Sequence, residues 1–175
     1  MISTKLAKVI RDVPDFPSPG ILFKDITPIF LDAKLCTEIV NELAKKVEKL
    51  NLDAIVGIES RGFFFGIMLA NKLNLPFIPI RKKGKLPYKT VSYSYDLEYG
   101  SAEIEMHQEV IQKNWNVLIH DDLLATGGTA AAAAELILKQ DATVAGFSFV
   151  VELTFLDGVK KLSKYSKNMA NLVAF

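Results

Sequence analysis

The sequence has little of what marks secreted, membrane-spanning or nucleic-acid-binding chains. Its one cysteine, Cys36, cannot form an internal disulfide, which suits a reducing cytosol. No apolar run approaches the roughly 20 residues that a membrane helix needs, and the N-terminus lacks an apolar signal core. A net charge of +1 argues against a nucleic-acid partner held by bulk electrostatics. We therefore expect a cytoplasmic protein that binds neither a membrane nor nucleic acid.

The pattern of apolar runs favours a single α/β domain over residues 1–175. Half of the residues are hydrophobic, and 175 residues are enough to bury a full core. Continuous apolar runs predict buried strands at 53–58, 117–120 and 142–153. Helical periodicity or strong helix formers predict helices at 32–50, 64–73 and 130–139. Such elements form a central, mainly parallel sheet that is flanked by helices.

The connection between the strand at 117–120 and the helix at 130–139 has the features of an anion site. The first N–H groups of a helix lack internal partners, and the helix dipole places partial positive charge there. The turn before the helix consists of small and hydroxyl residues, namely Ala125, Thr126, Gly127, Gly128 and Thr129. The glycines allow a phosphate to approach the backbone, and either threonine could cap the helix. No Walker or dinucleotide-binding glycine pattern is present, so the turn predicts a phosphate cradle of another kind.

Two adjacent carboxylates, Asp121 and Asp122, come directly after the strand at 117–120. Sheets of this class bind ligands at the carboxyl ends of their strands. The two carboxylates could accept hydrogen bonds from ribose hydroxyls or face a hard cation such as Mg²⁺. The plainer alternative is an exposed acidic pair on a tight strand-to-helix connection. Carboxylates, threonines and glycines so close together favour a ribose-phosphate site.

Two further polar segments each have a functional and a plainer interpretation. Glu59-Ser60-Arg61 lies between a predicted strand and a helix, which predicts a second anion site, although Glu59 could simply pair with Arg61. The stretch from Arg81 to Lys89 carries five cationic side chains and is either a solvated loop or a lid that closes over a polyphosphate. After this stretch, the alternation at 91–97 and 102–106 predicts an antiparallel hairpin.

The segment Asp-Asp-Leu-Leu-Ala-Thr-Gly-Gly-Thr at 121–129 resembles the 5-phosphoribosyl-1-pyrophosphate (PRPP) motif of type I phosphoribosyltransferases, in a form similar to that of the adenine-specific members. Four other segments match the family in the same order: a hood around Gly-Ile-Leu-Phe-Lys-Asp-Ile-Thr-Pro at 20–28, the turn at 59–63, the cationic stretch, and Leu-Glu-Tyr-Gly at 97–100. The resemblance implies the type I fold with a small hood at about 14–30 and a mobile hairpin lid at 81–106. It also implies a homodimer.

The resemblance implies transfer of the phosphoribosyl group from PRPP to adenine, giving AMP and pyrophosphate in purine salvage. It assigns Glu98 as the general acid/base at the purine, accompanied by Tyr99. Adenine would lie against Leu22, Phe23 and Arg61, although spacing alone makes Phe23 a core residue. Pyrophosphate would be held by Ser60, Arg61, Arg81 and Lys85. The ribose and its 5′-phosphate would be held by Asp121, Asp122, Ala125, Thr126, Gly127, Gly128 and Thr129, with Mg²⁺ bound through PRPP and not by direct protein ligands.

Ala125 bears on the choice of base, because relatives that act on hypoxanthine or orotate usually have aspartate at this point. Without that carboxylate, Glu98 is the available proton-transfer group, which favours adenine over 6-oxopurines. Two alternatives stay open: a phosphoribosyltransferase for another base such as xanthine, and a regulator that senses PRPP without catalysis. His120 departs from the family pattern, where an aliphatic residue is usual, and we interpret it as a core histidine with a hydrogen-bond partner.

Overall fold

The computed structural model describes residues 1–96 and 100–175, which fold around a seven-stranded sheet. A short helix, α1 (Ile2–Val9), and an antiparallel hairpin of β1 (Arg11–Pro14) and β2 (Leu22–Asp25) come first. The main sheet is formed by β3 (Ala54–Ile58), β4 (Phe77–Lys82), β5 (Thr90–Asp96), β6 (Ser101–His107), β7 (Asn116–Leu124), β8 (Thr143–Glu152) and β9 (Met169–Ala174). The remaining helices are α2 (Ala33–Val47), α3 (Gly62–Leu73), α4 (Gly128–Leu138) and α5 (Gly158–Leu162), with 3-10 turns at Thr27–Leu31 and Thr154–Leu156.

The sheet has the strand order β5-β6-β4-β3-β7-β8-β9. The five strands from β4 to β9 in this order pair in parallel, and the antiparallel hairpin of β5 and β6 completes one edge. The prediction of a mainly parallel sheet flanked by helices is therefore confirmed. Because β3 and β7 are neighbours and parallel, the turns that follow them lie at the same edge of the sheet.

Alternating side chains of the central strands pack into a separate core on each face of the sheet. In β7, Val117 and Ile119 belong to the core under α4, whereas Leu118 belongs to the core under α2 and α3. Cys36 is buried in the second core. Because both faces of the sheet are covered, the central strands consist of nearly continuous apolar residues. No helix in the described ranges is both long and apolar enough to cross a membrane.

Two local predictions around the main turn were wrong. Strand β7 continues past His120 to Leu124, because Leu123 and Leu124 still pair with the long strand β8. The acidic pair at 121–122 is therefore part of the strand. Helix α4 begins at Gly128 with Gly127 as its N-cap, and no side chain caps it, so neither threonine has that role.

Candidate active site

The turns after β3 and β7 meet at the carboxyl edge of the sheet. Gly57 of β3 pairs with His120 of β7, so Glu59-Ser60-Arg61 lies beside the acidic pair. Gly62, the first residue of α3, makes this approach possible: a Cβ there would lie 2.7 Å from Asp121 Oδ1 and 3.1 Å from the His120 carbonyl oxygen. The two predicted anion sites are thus parts of one site.

The acidic pair is buried unequally, and among the described residues Arg61 is the cation that forms a salt bridge with it. Asp122 is 4% exposed, and its Oδ2 lies 2.9 Å from Arg61 Nε. This contact lacks hydrogen-bond geometry, so Asp122 Oδ2 is buried without a donor. Asp121 Oδ1 accepts a hydrogen bond from the Asp122 amide at 2.8 Å.

Burial raises the pKa of both carboxyl groups, by different routes. For Asp121 the neighbouring charge of Asp122 raises the pKa further. For Asp122 the guanidinium of Arg61 opposes the effect of burial. Asp122 is therefore the member of the pair that is better able to stay ionised, and Asp121 the one that more readily holds a proton. A buried carboxylate oxygen without a donor suits a ribose hydroxyl or a cation that arrives with a ligand.

The phosphate turn at 125–129 has the geometry expected of an anion cradle. Gly127 has φ +77°, a conformation that glycine adopts without strain, and its carbonyl accepts from the Ala131 amide as α4 begins. Thr129 Oγ1 lies 3.1 Å from the Tyr95 hydroxyl of strand β5. Thr126 is exposed. The hydroxyls of the turn and the first amides of α4 are thus grouped at the edge that carries the acidic pair.

A residue far away in the sequence supports this turn. A Cβ at Gly158, the first residue of α5, would lie 2.3 Å from the Ala125 carbonyl oxygen, so only glycine fits there. Sequence reasoning missed Gly158 and Tyr95, because neither belongs to a recognisable motif and both act through contacts more than 30 residues away. The periodicity around Gly158 predicts only a short helix.

The hood hairpin of β1 and β2 places an aromatic ring against the same edge. The Arg61 guanidinium lies over the Phe23 ring, 4.9 Å from its centroid, and Phe16 packs edge-on against Phe23 at 5.1 Å. Leu22 is about half exposed beside them. Phe23 is therefore at the surface of the site and not in the core, which contradicts the interpretation from spacing alone.

Glu59 pairs with Arg81 and not with Arg61. Its carboxylate accepts from Arg81 Nε at 3.2 Å and Nη2 at 3.1 Å, and from the Lys82 amide at 2.9 Å. Burial alone would raise the pKa of Glu59, but the hydrogen bonds from Arg81 and Lys82 outweigh it and lower the pKa. Arg81 also donates to the Lys85 carbonyl, so hydrogen bonds connect the Lys85 backbone through Arg81 to Glu59, which directly precedes the exposed Ser60.

Glu98 and Tyr99, the predicted acid/base and its companion, lie outside the described residues. Two other carboxylates on the hairpin are already engaged: Glu103 bonds to Ser92 and Lys83, and Glu105 bonds to the loop after β4. Neither is therefore an available proton shuttle.

His120 is a core histidine, as predicted. It is fully buried, and its Nδ1 lies 2.8 Å from Ser148 Oγ. Burial lowers its pKa to about 3, so the ring is neutral at physiological pH. Among the described residues no group of three acidic, histidine or cysteine side chains could hold a metal ion. The acidic pair by itself offers fewer oxygens than a divalent cation such as Mg²⁺ takes.

The comparisons with known proteins agree with this geometry. The family model described as "Phosphoribosyl transferase domain" matches residues 29–173. The chain is 47% identical over 175 residues to an adenine phosphoribosyltransferase of Cytophaga hutchinsonii, covering 100% of this chain and 97% of the relative. A crystal structure of adenine phosphoribosyltransferase from Thermoanaerobacter pseudethanolicus superposes with a TM-score of 0.95 at 45% identity and covers 100% of both chains. The Trypanosoma brucei enzyme, in complex with AMP, pyrophosphate and ribose-5-phosphate, gives a TM-score of 0.87 at 28% identity, over 99% of this chain and 79% of that one.

Proposed function

The chain belongs to the phosphoribosyl transferase domain family, and from this premise we propose that it is an adenine phosphoribosyltransferase of purine salvage. It transfers the 5-phosphoribosyl group of PRPP to adenine and releases AMP and pyrophosphate. The observation that carries this conclusion is the meeting of three parts at one sheet edge: the aromatic hood, the Arg61–Asp122 pair and the phosphate turn. They match the base, the ribose and the 5′-phosphate of a nucleotide in that order.

The 5′-phosphate binds the turn from Ala125 to Thr129. Amides at the start of α4 and the two threonine hydroxyls donate to its oxygens. Because this phosphate is remote from the reacting carbon, its binding energy serves to hold the anomeric carbon in place. The ribose hydroxyls donate to Asp121 and Asp122, and the donor-free oxygen of Asp122 supports this role.

Displacement at the anomeric carbon forms a bond to a ring nitrogen of adenine and breaks the bond to a pyrophosphate oxygen. Positive charge develops on the sugar, and the ionised carboxylate of Asp122 stabilises that charge. Arg81, Lys85 and the turn at Ser60-Arg61 stabilise the negative charge on the departing pyrophosphate. Mg²⁺ that arrives with PRPP supplies further neutralisation of the leaving group. The hairpin and loop of 81–106 act as the lid that excludes water during this step.

Adenine stacks on Phe23 beside Leu22, with the Arg61 side chain near the base. The flat ring and the half-exposed leucine support this assignment, since a purine buries its faces against such surfaces. The proton on the attacking nitrogen of adenine passes to Glu98, next to Tyr99. Glu103 and Glu105, the two competing carboxylates on β6, are engaged in other hydrogen bonds, which supports Glu98 over them.

The assembly is a homodimer in the cytoplasm. An exposed apolar face of α3 supports a subunit contact, since Phe64, Ile67 and Met68 are 36–55% exposed there and Leu31 beside them is 89% exposed. Sedimentation equilibrium of the wild type and of Ile67→Glu tests this. A dimer that dissociates in the variant is expected, and a monomeric wild type would contradict the proposal.

The activity is tested by release of pyrophosphate from PRPP and Mg²⁺ with adenine, hypoxanthine, guanine and xanthine in parallel. Turnover with adenine alone, or far above the others, is expected. Preference for a 6-oxopurine or xanthine would assign a different phosphoribosyltransferase. Binding of PRPP without turnover on any base would favour the regulator, and omission of Mg²⁺ is expected to abolish turnover.

A further inference from the structure

We infer that Glu105 is a positioning residue of the pyrophosphate subsite: its buried carboxylate holds the backbone of the cationic loop at 83–89 and thereby places Lys85. The inference deepens the proposed function and rests on it for the identity of the ligand. Glu105 lies on β6 directly opposite Arg81 of β4, and the loop that connects β4 to β5 folds back over it.

Two amides of the loop and the hydroxyl of Thr90, the first residue of β5, converge on this carboxylate. Glu105 Oε1 accepts from the amides of Lys85 and Leu86, both at 3.0 Å, and Oε2 accepts from the Thr90 hydroxyl at 3.1 Å. Glu105 is only 2% exposed, although the loop it binds is largely exposed. A charged group buried to this degree is retained only when its partners satisfy it, so the loop and the carboxylate require each other.

The backbone of Lys85 is held from its other side as well. Its amide bonds to Glu105, and its carbonyl accepts from Arg81 Nη1 at 3.0 Å. Arg81 is in turn held by Glu59, which directly precedes Ser60. A continuous chain of hydrogen bonds thus runs from Glu105 through Lys85 and Arg81 to the turn that follows β3. Lys85 lies in the middle of this series of hydrogen bonds through its backbone and is itself exposed, so its side chain is free to meet an anion.

Repulsion between the cationic side chains of the loop explains why a buried carboxylate is needed to hold its backbone. Five cations between Arg81 and Lys89 repel one another, so without a buried anion the loop would favour open, hydrated conformations. Burial would raise the pKa of Glu105, but hydrogen bonds from Leu86, Thr90 and Lys85 outweigh it and lower the pKa. The carboxylate is therefore charged at neutral pH, and it acts on the ligand through Lys85.

The test compares Glu105→Leu with Glu105→Gln. Glutamine keeps an oxygen that can accept from both amides, and its NH₂ group can donate to the Thr90 hydroxyl; leucine keeps only the volume. We expect Glu105→Leu to raise the KM for PRPP about tenfold or more, the effect of losing a charged hydrogen-bond acceptor, and to leave the KM for adenine within about twofold. Glu105→Gln should recover most of the loss. The matched control is Glu103→Leu, two residues away on the same strand, whose carboxylate bonds among the described residues to the side chains of Ser92 and Lys83 and to no backbone amide of the loop.

A second measurement does not depend on turnover. Hydrogen–deuterium exchange of the peptide containing Lys85 and Leu86 should accelerate about tenfold or more in Glu105→Leu and little in Glu103→Leu. If Glu105→Leu does not fold, Thr90→Val removes the bond to Oε2 alone and should give a smaller change in the same direction. Unchanged exchange, an equal rise of both KM values, or a Glu105→Gln variant as impaired as Glu105→Leu would overturn the inference. A wild type that exchanges as expected but lacks turnover would refute the proposed function and leave the positioning role standing.

Discussion

Gly158→Ala is expected to damage the phosphate turn from a distance of 30 residues in the chain. The new Cβ would lie 2.3 Å from the Ala125 carbonyl oxygen and 2.8 Å from Leu124 Cδ1. The carbonyl belongs to the backbone of the turn and cannot rotate away as a side chain would. To reach a separation of 3.0 Å, the turn or the start of α5 must shift by about 0.7 Å.

The size of the effect follows from two opposing contributions. Overpacking against backbone costs about 3 kcal/mol, the upper end of the usual range, and alanine regains about 1 kcal/mol of helix propensity over glycine. The net loss of about 2 kcal/mol corresponds to a fall in Tm of roughly 4–8 °C for a chain of this size. Because a misplacement of about 1 Å can reduce turnover on the order of a hundredfold, we expect kcat/KM for PRPP to fall roughly 10- to 100-fold.

The assay pairs thermal unfolding with steady-state kinetics, and Gly146→Ala is the matched control. Gly146 is also tightly packed, since a Cβ added there would lie 3.0 Å from both the carbonyl oxygen and the Cβ of Asn168. It lies near the amino end of β8, away from the carboxyl edge of the sheet that carries the site. Gly146→Ala should lower Tm and leave the KM for PRPP near the wild-type value. The reasoning would be refuted if Gly158→Ala lowered Tm with unchanged kinetics for PRPP, or if both variants impaired PRPP use equally.

Three further predictions concern single side chains. Tyr95→Phe removes the hydroxyl beside Thr129 and should raise the KM for PRPP about two- to tenfold, the value of one hydrogen bond, with the KM for adenine unchanged in the same assay. Phe23→Ala should do the reverse and raise the KM for adenine by about fivefold or more, because base stacking contributes about 1–3 kcal/mol; an equal effect on PRPP would contradict it. The pKa of His120 is lowered from 6.5 to about 3, so the unfolded chain binds a proton below pH 6.5 that the folded chain refuses until about pH 3. As the pH is lowered from 6.5 to about 3, the free energy of unfolding of the wild type should therefore fall by up to about 1.4 kcal/mol per pH unit relative to that of His120→Val. Denaturant titrations at several pH values measure this difference.

Much of the fold could be predicted because local patterns determine it. The apolar stripe of α2 depends on residue spacings of about one helical turn. Its Asp32 cap depends on an equally short spacing, since Asp32 accepts from the Leu35 amide at 3.0 Å. Element ends were less predictable. Strand β7 continues through the acidic pair because it pairs there with β8. The residues of one strand do not reveal how far a neighbouring strand extends beside it.

The sequence by itself determined the α/β class, the glycine-containing turn ahead of α4, and the core position of His120, since each depends on residue types within a short window. Only the tertiary structure decided which charges pair. Glu59 meets Arg81 and not Arg61 because β3 and β4 are adjacent, and Arg61 is left for Asp122 because β7 lies on the other side of β3. The contacts of Gly158 with the phosphate turn and of Glu105 with the cationic loop were likewise decided by the tertiary structure. Their roles arise from distances of a few ångströms between segments that the chain order keeps far apart, and no local propensity records such distances.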